Sequence, residues 1–227
     1  MDDACGNLRT MFVGHFGVGL AAKKVAPKAS LGWLIAAPLL LDLLWPAFLL
    51  LGWETVQINA AATVVTPFDF VSYPLSHSLV AAVGWAVLAA VLYRTVRPDN
   101  RGALVIAAAV VSHWFLDVLM HVPDLPLYPG GPKFGLALWN SLPATLVAES
   151  LALGGGIWLY TRAAKPTSRG GSIGFWAFVA ILVVAYAGNI LGPPPDNVTQ
   201  VAVVTLSLWL FPFWAWFFDR RRILVEG

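Results

Sequence analysis

Six apolar stretches divide the chain, and each comes close to the roughly 20 residues that an α-helix needs to cross a bilayer. They predict transmembrane helices over Leu31–Gly52, Ser76–Tyr93, Gly102–His121, Leu142–Tyr160, Ile173–Leu191 and Val198–Phe218. A shorter piece, Leu8–Ala22, is predicted to be a half-helix packed into the bundle or a tilted seventh span. Pro38 and Pro46 are expected to kink the first span. The pattern predicts an all-α, polytopic membrane helical bundle.

Composition supports this fold class. The chain has 227 residues, of which 59% are hydrophobic and 11% charged, whereas soluble domains carry about 25% charged residues. The net charge of +2 gives no reason to expect a nucleic-acid partner. Cys5 is the only cysteine, which excludes an intrachain disulfide and a thiolate metal cluster. We expect one membrane domain over residues 1–227, with a metal-site region at 11–160 and two additional spans at 173–218.

The loops between the predicted spans differ in charge. Twelve of the 14 basic residues fall on one side of the membrane: Lys23, Lys24, Lys28, Arg94, Arg97, Arg101, Arg162, Lys165, Arg169, Arg220, Arg221 and Arg222. The positive-inside rule makes that side cytoplasmic. We therefore predict a protein of the bacterial cytoplasmic (inner) membrane with a cytoplasmic C-terminus. The N-terminus lacks a basic region, so a cleaved signal peptide is not expected.

One polar stripe interrupts the third predicted span. His113, Asp117 and His121 follow one another at intervals of four residues, and residues with this spacing lie on one face of a helix. Ionisable groups inside a bilayer are energetically costly and need a partner or a metal ion. The stripe therefore predicts part of a metal site.

Other polar side chains are expected at the same depth. At a helical rise of 1.5 Å per residue, Asp42, Asp117 and Glu149 lie within about 15 Å of the outer ends of their helices, and His77 opens the second span. Imidazole and carboxylate ligands favour Zn²⁺ and also accept Mn²⁺ or Fe²⁺. We predict one or two divalent ions, with zinc as the preferred metal.

Each candidate also has a structural interpretation. His15 could hydrogen-bond a backbone carbonyl, and Asp42 could bond a neighbouring helix. Glu149 could serve as a proton-relay carboxylate. Asp124 is interpreted as a turn residue, and Gly154–Gly156 as a point of close helix contact rather than a phosphate site.

Four short motifs resemble a known family, the bacterial membrane-bound metal-dependent hydrolases. The resemblance covers roughly residues 11–160 and leaves the last two spans outside it. The motifs are Gly14-His15 with Ala and Lys following, the Asp42 helix ending in Trp45-Pro46, Ser76-His77-Ser78-Leu79, and Ser112-His113-x-x-x-Asp117.

The order of these motifs is also similar to that of the zinc-dependent phospholipase C and single-strand nuclease superfamily, which has an all-helical fold. This resemblance implies that Asp42, His77, His113 and Asp117 hold one metal. It further implies that Asp117 bridges to a second metal bound by His15.

The same resemblance implies a third metal held by His121 and Glu149. Two departures count against the full set. Thr145 stands where the superfamily has a further histidine, four residues before Glu149. The superfamily also uses the N-terminal amine of a mature chain as a ligand, whereas this chain continues ahead of His15. The expectation is therefore one or two metals.

These observations predict a membrane-embedded, divalent-metal-dependent hydrolase. Its substrate is expected to be a phosphoester in a membrane lipid or lipid-linked molecule at the extracytoplasmic side. The metal would activate water for attack on phosphorus, with Asp42 or Glu149 as the general base. Lys133, in the outer Pro-Gly loop, would bind the substrate phosphate.

Two alternatives use the same residues. Buried His and Asp also occur in ion pathways, so the chain could be a small metal-ion or proton-coupled transporter. Against this, no inverted repeat is visible and the cytoplasmic half of the helices is almost purely apolar. A non-catalytic scaffold stapled by a structural metal is the other alternative, and it would need a closed site with four protein ligands.

Overall fold

The computed structural model describes residues 13–225. Its helices are α1 (Val13–Val25), α2 (Leu31–Leu50), α3 (Pro74–His77), α4 (Leu79–Val96), α5 (Asn100–Met120), α6 (Leu142–Ala163), α7 (Arg169–Leu191), α8 (Val198–Leu206) and α9 (Leu210–Asp219). Short 3₁₀ turns lie at Leu138–Asn140 and Ser207–Trp209. Strands are β1 (Thr55–Ile58), β2 (Phe68–Ser72), β3 (Leu125–Pro126), β4 (Lys133–Phe134), β5 (Ala164–Pro166) and β6 (Arg222–Leu224).

Among residues 13–225, six helical segments are long and apolar enough to cross a membrane, which confirms the predicted all-α membrane bundle. Five are single helices, namely α2, α4, α5, α6 and α7, and the sixth joins α8, a 3₁₀ turn and α9 over Val198–Asp219. The helix α2 is continuous through both of its prolines. The second span begins at Leu79 instead of Ser76, because Ser78 is extended and its hydroxyl caps α4 by accepting from the Ala81 N–H at 3.1 Å.

The helix α1 occupies the interior of the bundle, and most of its residues are buried. Residues 8–12 of the predicted Leu8–Ala22 segment lie outside the described residues. Gly17 of α1 and Gly156 of α6 face each other so closely that a Cβ atom on either would collide with the backbone of the opposite helix. The predicted close contact at Gly154–Gly156 is therefore made by Gly156, whereas Gly154 and Gly155 face open space.

The bundle has two different ends. Antiparallel pairs β1–β2 and β3–β4 lie in loops at one end, which we call the hairpin end. The pair β5–β6 joins the end of α6 to the segment after α9 at the opposite end of the bundle. We call this the basic end, because Arg162, Lys165 and Arg220–Arg222 lie there. These two-stranded pairs, found within residues 13–225, were not predicted from the sequence.

A buried ion pair ties the helices together at the basic end. The Lys23 ammonium donates to Asp219 Oδ2 at 2.7 Å and to the Ala29 carbonyl at 2.9 Å. The same carboxylate accepts from the Leu31 N–H at 3.0 Å and from the Tyr160 hydroxyl at 3.0 Å. Because these groups belong to α1, α2, α6 and α9, one carboxylate joins four helices. Lys23, interpreted from the sequence as a loop residue, is thus part of the packed interior.

Candidate metal centre

Five polar side chains from four helices meet near the hairpin end. His15 comes from α1, Asp42 from α2, His77 from α3, and His113 and Asp117 from α5. Asp117 Oδ2 lies 3.0 Å from His113 Nε2 and 3.8 Å from His77 Nε2. Asp42 Oδ1 lies 3.5 Å from His77 Nε2 and 3.9 Å from His113 Nε2. The predicted convergence of distant polar residues is therefore present in the fold.

The backbone carbonyl of Pro38 determines which ring nitrogen of a neutral His113 carries the proton. Its Nδ1 lies 2.7 Å from the backbone carbonyl of Pro38. A carbonyl only accepts, so Nδ1 must donate, and the neutral imidazole then carries its lone pair on Nε2. Both Nε2 and the Asp117 Oδ2 that faces it are buried and lack a hydrogen-bond partner. In the neutral form of His113, two acceptors face each other at 3.0 Å, an arrangement that a metal ion would stabilise and that protonation of Nε2 would turn into an ion pair.

His15 approaches Asp117 from the other side. Its Nε2 lies 3.2 Å from Asp117 Oδ1, and its ring stacks in parallel on that of His113, with centroids 4.0 Å apart and planes inclined by 5°. Asp117 therefore has Oδ1 beside the ring of His15 and Oδ2 beside the ring of His113.

The donor set fits a divalent cation. The atoms fall into two overlapping groups, His15 with His113 and Asp117, and Asp42 with His77 and His113, and the ligand atoms within each group lie within 4.8 Å of one another. Three imidazoles and two carboxylates match the nitrogen and oxygen ligands of Zn²⁺. The orphaned Asp117 Oδ2 and His113 Nε2 are the atoms that such an ion would satisfy.

His121 lies apart from this cluster. The helix α5 ends at Met120, and His121 is its C-terminal cap with extended backbone angles (φ −65°, ψ 150°). The expected stripe at i, i+4 and i+8 is therefore interrupted before its third member. The ring turns toward Asp124, with His121 Nδ1 2.9 Å from Asp124 Oδ1, and packs against Trp139 at a centroid distance of 4.2 Å.

Tyr73 lies between His121 and the cluster. Its hydroxyl donates to Asp124 Oδ1 at 2.7 Å, and its ring is 5.4 Å from that of His77 and 6.1 Å from that of His121. Burial, together with the neighbouring Asp124 carboxylate, raises the pKa of Tyr73 well above its usual range. The hydroxyl therefore keeps its proton at neutral pH. Asp124, interpreted from the sequence as a solvated turn residue, instead receives two side-chain partners.

Glu149 belongs to neither group of candidate ligands. Its Oε2 accepts a hydrogen bond from the backbone N–H of Gly14 at 2.8 Å. Because Gly14 directly precedes His15, this bond anchors α1 where it presents His15 to the cluster. Thr145, on the same helix, donates to the Leu138 carbonyl at 2.8 Å and so performs a local structural role.

Lys133 lies on β4, opposite Pro126, and is exposed. The fold thus places the expected phosphate contact on a surface hairpin.

Ser76 of the Ser76-His77-Ser78-Leu79 motif links His77 to Glu54, a residue that the sequence did not point to. The Ser76 hydroxyl oxygen lies 2.6 Å from His77 Nδ1 and 2.6 Å from Glu54 Oε2. All three side chains are buried. No local spacing in the sequence links Glu54 to Ser76, 22 positions later.

Comparison of the chain with family models, with curated proteins and with solved structures gave no match. The function has to be argued from the chemistry of the site.

Proposed function

We propose that this protein is a membrane-embedded, divalent-metal-dependent hydrolase acting on phosphoester bonds of a lipid or lipid-linked substrate. The observation that carries the proposal is the convergence of three imidazoles and two carboxylates in two overlapping groups whose ligand atoms lie within 4.8 Å of one another, among them the buried His113 Nε2 and Asp117 Oδ2, 3.0 Å apart. Burying unpaired polar atoms costs free energy. A cation accounts for this cost, and zinc is the metal that the donor set favours.

A second ion is supported by the stacked rings. Two-metal hydrolytic centres hold their ions about 3.5–4 Å apart, and the rings of His15 and His113 are stacked with a centroid separation of 4.0 Å. His15 and Asp117 would hold one ion, and His113, His77 and Asp42 would hold the other.

Asp42 is the residue best placed for the chemistry of the reaction. Its side chain is 18% exposed, whereas that of His113 is fully buried. A substrate therefore reaches the cluster on the Asp42 side. When bound, the metal would acidify water and polarise a phosphoryl oxygen. Asp42 would orient that water and accept its proton, a role for which Glu149, bonded to Gly14, is less suitable.

A lipid substrate is supported by the depth of the site. Asp117 and His113 lie three and seven residues before the end of α5, which corresponds to roughly 5 and 10 Å along the helix axis. If the end of α5 lies at the membrane surface, these side chains are within reach of phosphate headgroups. The basic loops are at the opposite end, so the positive-inside rule assigns the site to the extracytoplasmic leaflet.

The proposal is tested by metal content and hydrolysis in purified protein. We expect the wild-type chain in detergent to contain one or two zinc ions per molecule by elemental analysis. We expect it to release phosphorylated headgroup or inorganic phosphate from vesicles of phosphatidylglycerol or phosphatidic acid. His113→Ala should lose the metal and, with it, at least a hundredfold in rate, an effect on the order of 3 kcal/mol in transition-state stabilisation.

His121→Ala is the matched control, because it removes an imidazole from the end of the same helix but outside the cluster. It should keep its zinc. A wild-type protein that binds no divalent ion, or a His113→Ala variant that binds as much zinc as wild type, would overturn the proposal. Zinc-dependent ion flux into proteoliposomes without hydrolysis would favour a transporter instead.

A further inference from the structure

We propose that Glu54 acts through Ser76 as a positioning residue of the metal centre. In this scheme it holds His77 in the tautomer that has its proton on Nδ1 and its lone pair on Nε2. The predicted effect on metal affinity rests on the proposed function. The predicted tautomer of His77 is independent of it, because it can be measured in the metal-free protein.

The contacts of Glu54 are complete and buried. Its Oε1 accepts from the backbone N–H groups of Leu75 and Ser76, both at 2.8 Å. Its Oε2 accepts from the Ser76 hydroxyl at 2.6 Å. Glu54 is 3% exposed and Ser76 is fully buried, so water does not compete for these bonds.

The direction of the protons follows from the number of donors. A serine hydroxyl has one proton, and a carboxylate only accepts. Ser76 therefore gives its proton to Glu54, and its oxygen must accept from its other partner, His77 Nδ1, at 2.6 Å. His77 then carries Nδ1–H, and Nε2, which has the lone pair in the neutral ring, faces Asp42 Oδ1 and Asp117 Oδ2.

The end of α2 fixes the place of Glu54. Gly52 has a positive φ of 70°, a conformation that favours glycine, and it lets the chain turn back at the helix end. The backbone N–H groups of Trp53 and Glu54 then donate to the Phe48 carbonyl at 2.9 and 3.3 Å. One helix thus supplies both the candidate ligand Asp42 and, just beyond its last turn, the residue that orients His77.

His77 and His113 are oriented in the same way, because Nδ1 of each ring contacts an oxygen acceptor. Metal-binding histidines usually donate their second ring N–H to an oxygen acceptor, and loss of that partner typically weakens metal binding 10–100-fold. For His113 the acceptor is a backbone carbonyl, which no substitution can remove. For His77 it is a side chain controlled by a carboxylate, so this half of the centre can be altered by single substitutions.

The decisive variant is Glu54→Gln. Its amide oxygen can accept from the Leu75 and Ser76 N–H groups, which leaves the amide NH₂ facing the Ser76 hydroxyl. The NH₂ donates, so Ser76 must give its proton to His77 Nδ1, and His77 becomes the Nε2–H tautomer. In ¹⁵N-histidine-labelled, metal-free protein, two-bond ¹H–¹⁵N correlation should show Nδ1–H for wild type and Nε2–H for Glu54→Gln. A His77→Gln sample assigns the signals.

Zinc affinity gives the second measurement, by competition with a chromogenic chelator. Glu54→Gln and Ser76→Ala should each weaken binding roughly 10–100-fold, and the double variant should be no weaker than Ser76→Ala alone, because both residues act through one hydrogen-bonded chain. Asp69→Asn is the matched control. It alters a carboxylate in the same hairpin whose side-chain bond goes to Asn59 at 2.8 Å, and it should leave zinc affinity unchanged.

Three outcomes decide the proposal. An Nε2–H tautomer of His77 in wild type would overturn it, as would Glu54→Gln with wild-type zinc affinity. Nδ1–H in wild type together with absence of zinc binding would support the positioning role of Glu54 while rejecting the proposed metal-dependent function.

Discussion

At the scale of single residues, the site depends on which atom of each histidine carries a proton. His113 and His77 both have Nδ1 engaged by an oxygen, at 2.7 and 2.6 Å, so both present Nε2 to the same region. The spacing of His113 and Asp117 was readable from the sequence, because i and i+4 share a helix face. The acceptor Pro38 is not predictable in this way, because it lies 75 positions from His113. Ser76 adjoins His77, but its role as an acceptor depends on Glu54, 22 positions earlier.

Glu149 provides a residue-scale prediction. Glu149→Gln keeps an oxygen that accepts from the Gly14 N–H, so we expect zinc content to remain as in wild type. Glu149→Leu leaves that N–H buried without an acceptor, which costs about 1–3 kcal/mol and should weaken zinc binding by displacing His15. Zinc titration and denaturant unfolding of both variants measure this. Loss of catalytic rate in Glu149→Gln with zinc retained would instead identify Glu149 as the general base.

At the scale of elements, the sequence predicted the helices well and their ends less well. The third span was extended to His121, yet α5 stops at Met120. A signal for this end was present, because Pro123 disfavours helical geometry at the residue before it. The one-residue difference matters, since it turns His121 away from the cluster and toward Asp124.

The crossing of α1 and α6 gives an element-scale prediction. Gly156→Ala places a Cβ against the backbone of Gly17, so the helices must separate. We expect a loss of about 1–3 kcal/mol in the free energy of unfolding and weaker zinc binding, because α1 carries His15. Unfolding of purified protein in detergent, followed by tryptophan fluorescence, measures the first effect.

Gly155→Ala is the control for this crossing. It lies one residue away on the same helix and faces open space. Alanine is the better helix former by up to about 1 kcal/mol, so this variant should be neutral or slightly more stable. Equal destabilisation by both substitutions would show that the close contact is not what holds the two helices in register.

At the scale of the whole molecule, the segregation of basic residues leads to a topological prediction. Cys5 is the only native cysteine, so single-cysteine labelling is straightforward in a Cys5→Ser background. Ala60→Cys, in the exposed loop between β1 and β2, should react with a membrane-impermeant maleimide in intact cells. Pro98→Cys, in the loop between α4 and α5, should react only after lysis. The opposite pattern would place the candidate site on the cytoplasmic side.

The number and order of the spans could be predicted because apolar length is a local property of the sequence. The positions of Lys23 and Asp219 could not, because the two residues are 196 positions apart and each has an unremarkable local context. The contact between Glu54 and Ser76 could not be predicted either, because 22 positions separate the two residues.

The Lys23–Asp219 pair also constrains the order of biogenesis. Translation produces Lys23 near the beginning and Asp219 near the end, and a buried ammonium without its carboxylate is strongly unfavourable. The segment that delivers His15 therefore cannot settle until the ribosome has completed the last transmembrane segment. Binding of the proposed metal ion would thereby be deferred until the last segment has been made, and a chain terminated before Asp219 should bind less zinc than the wild type.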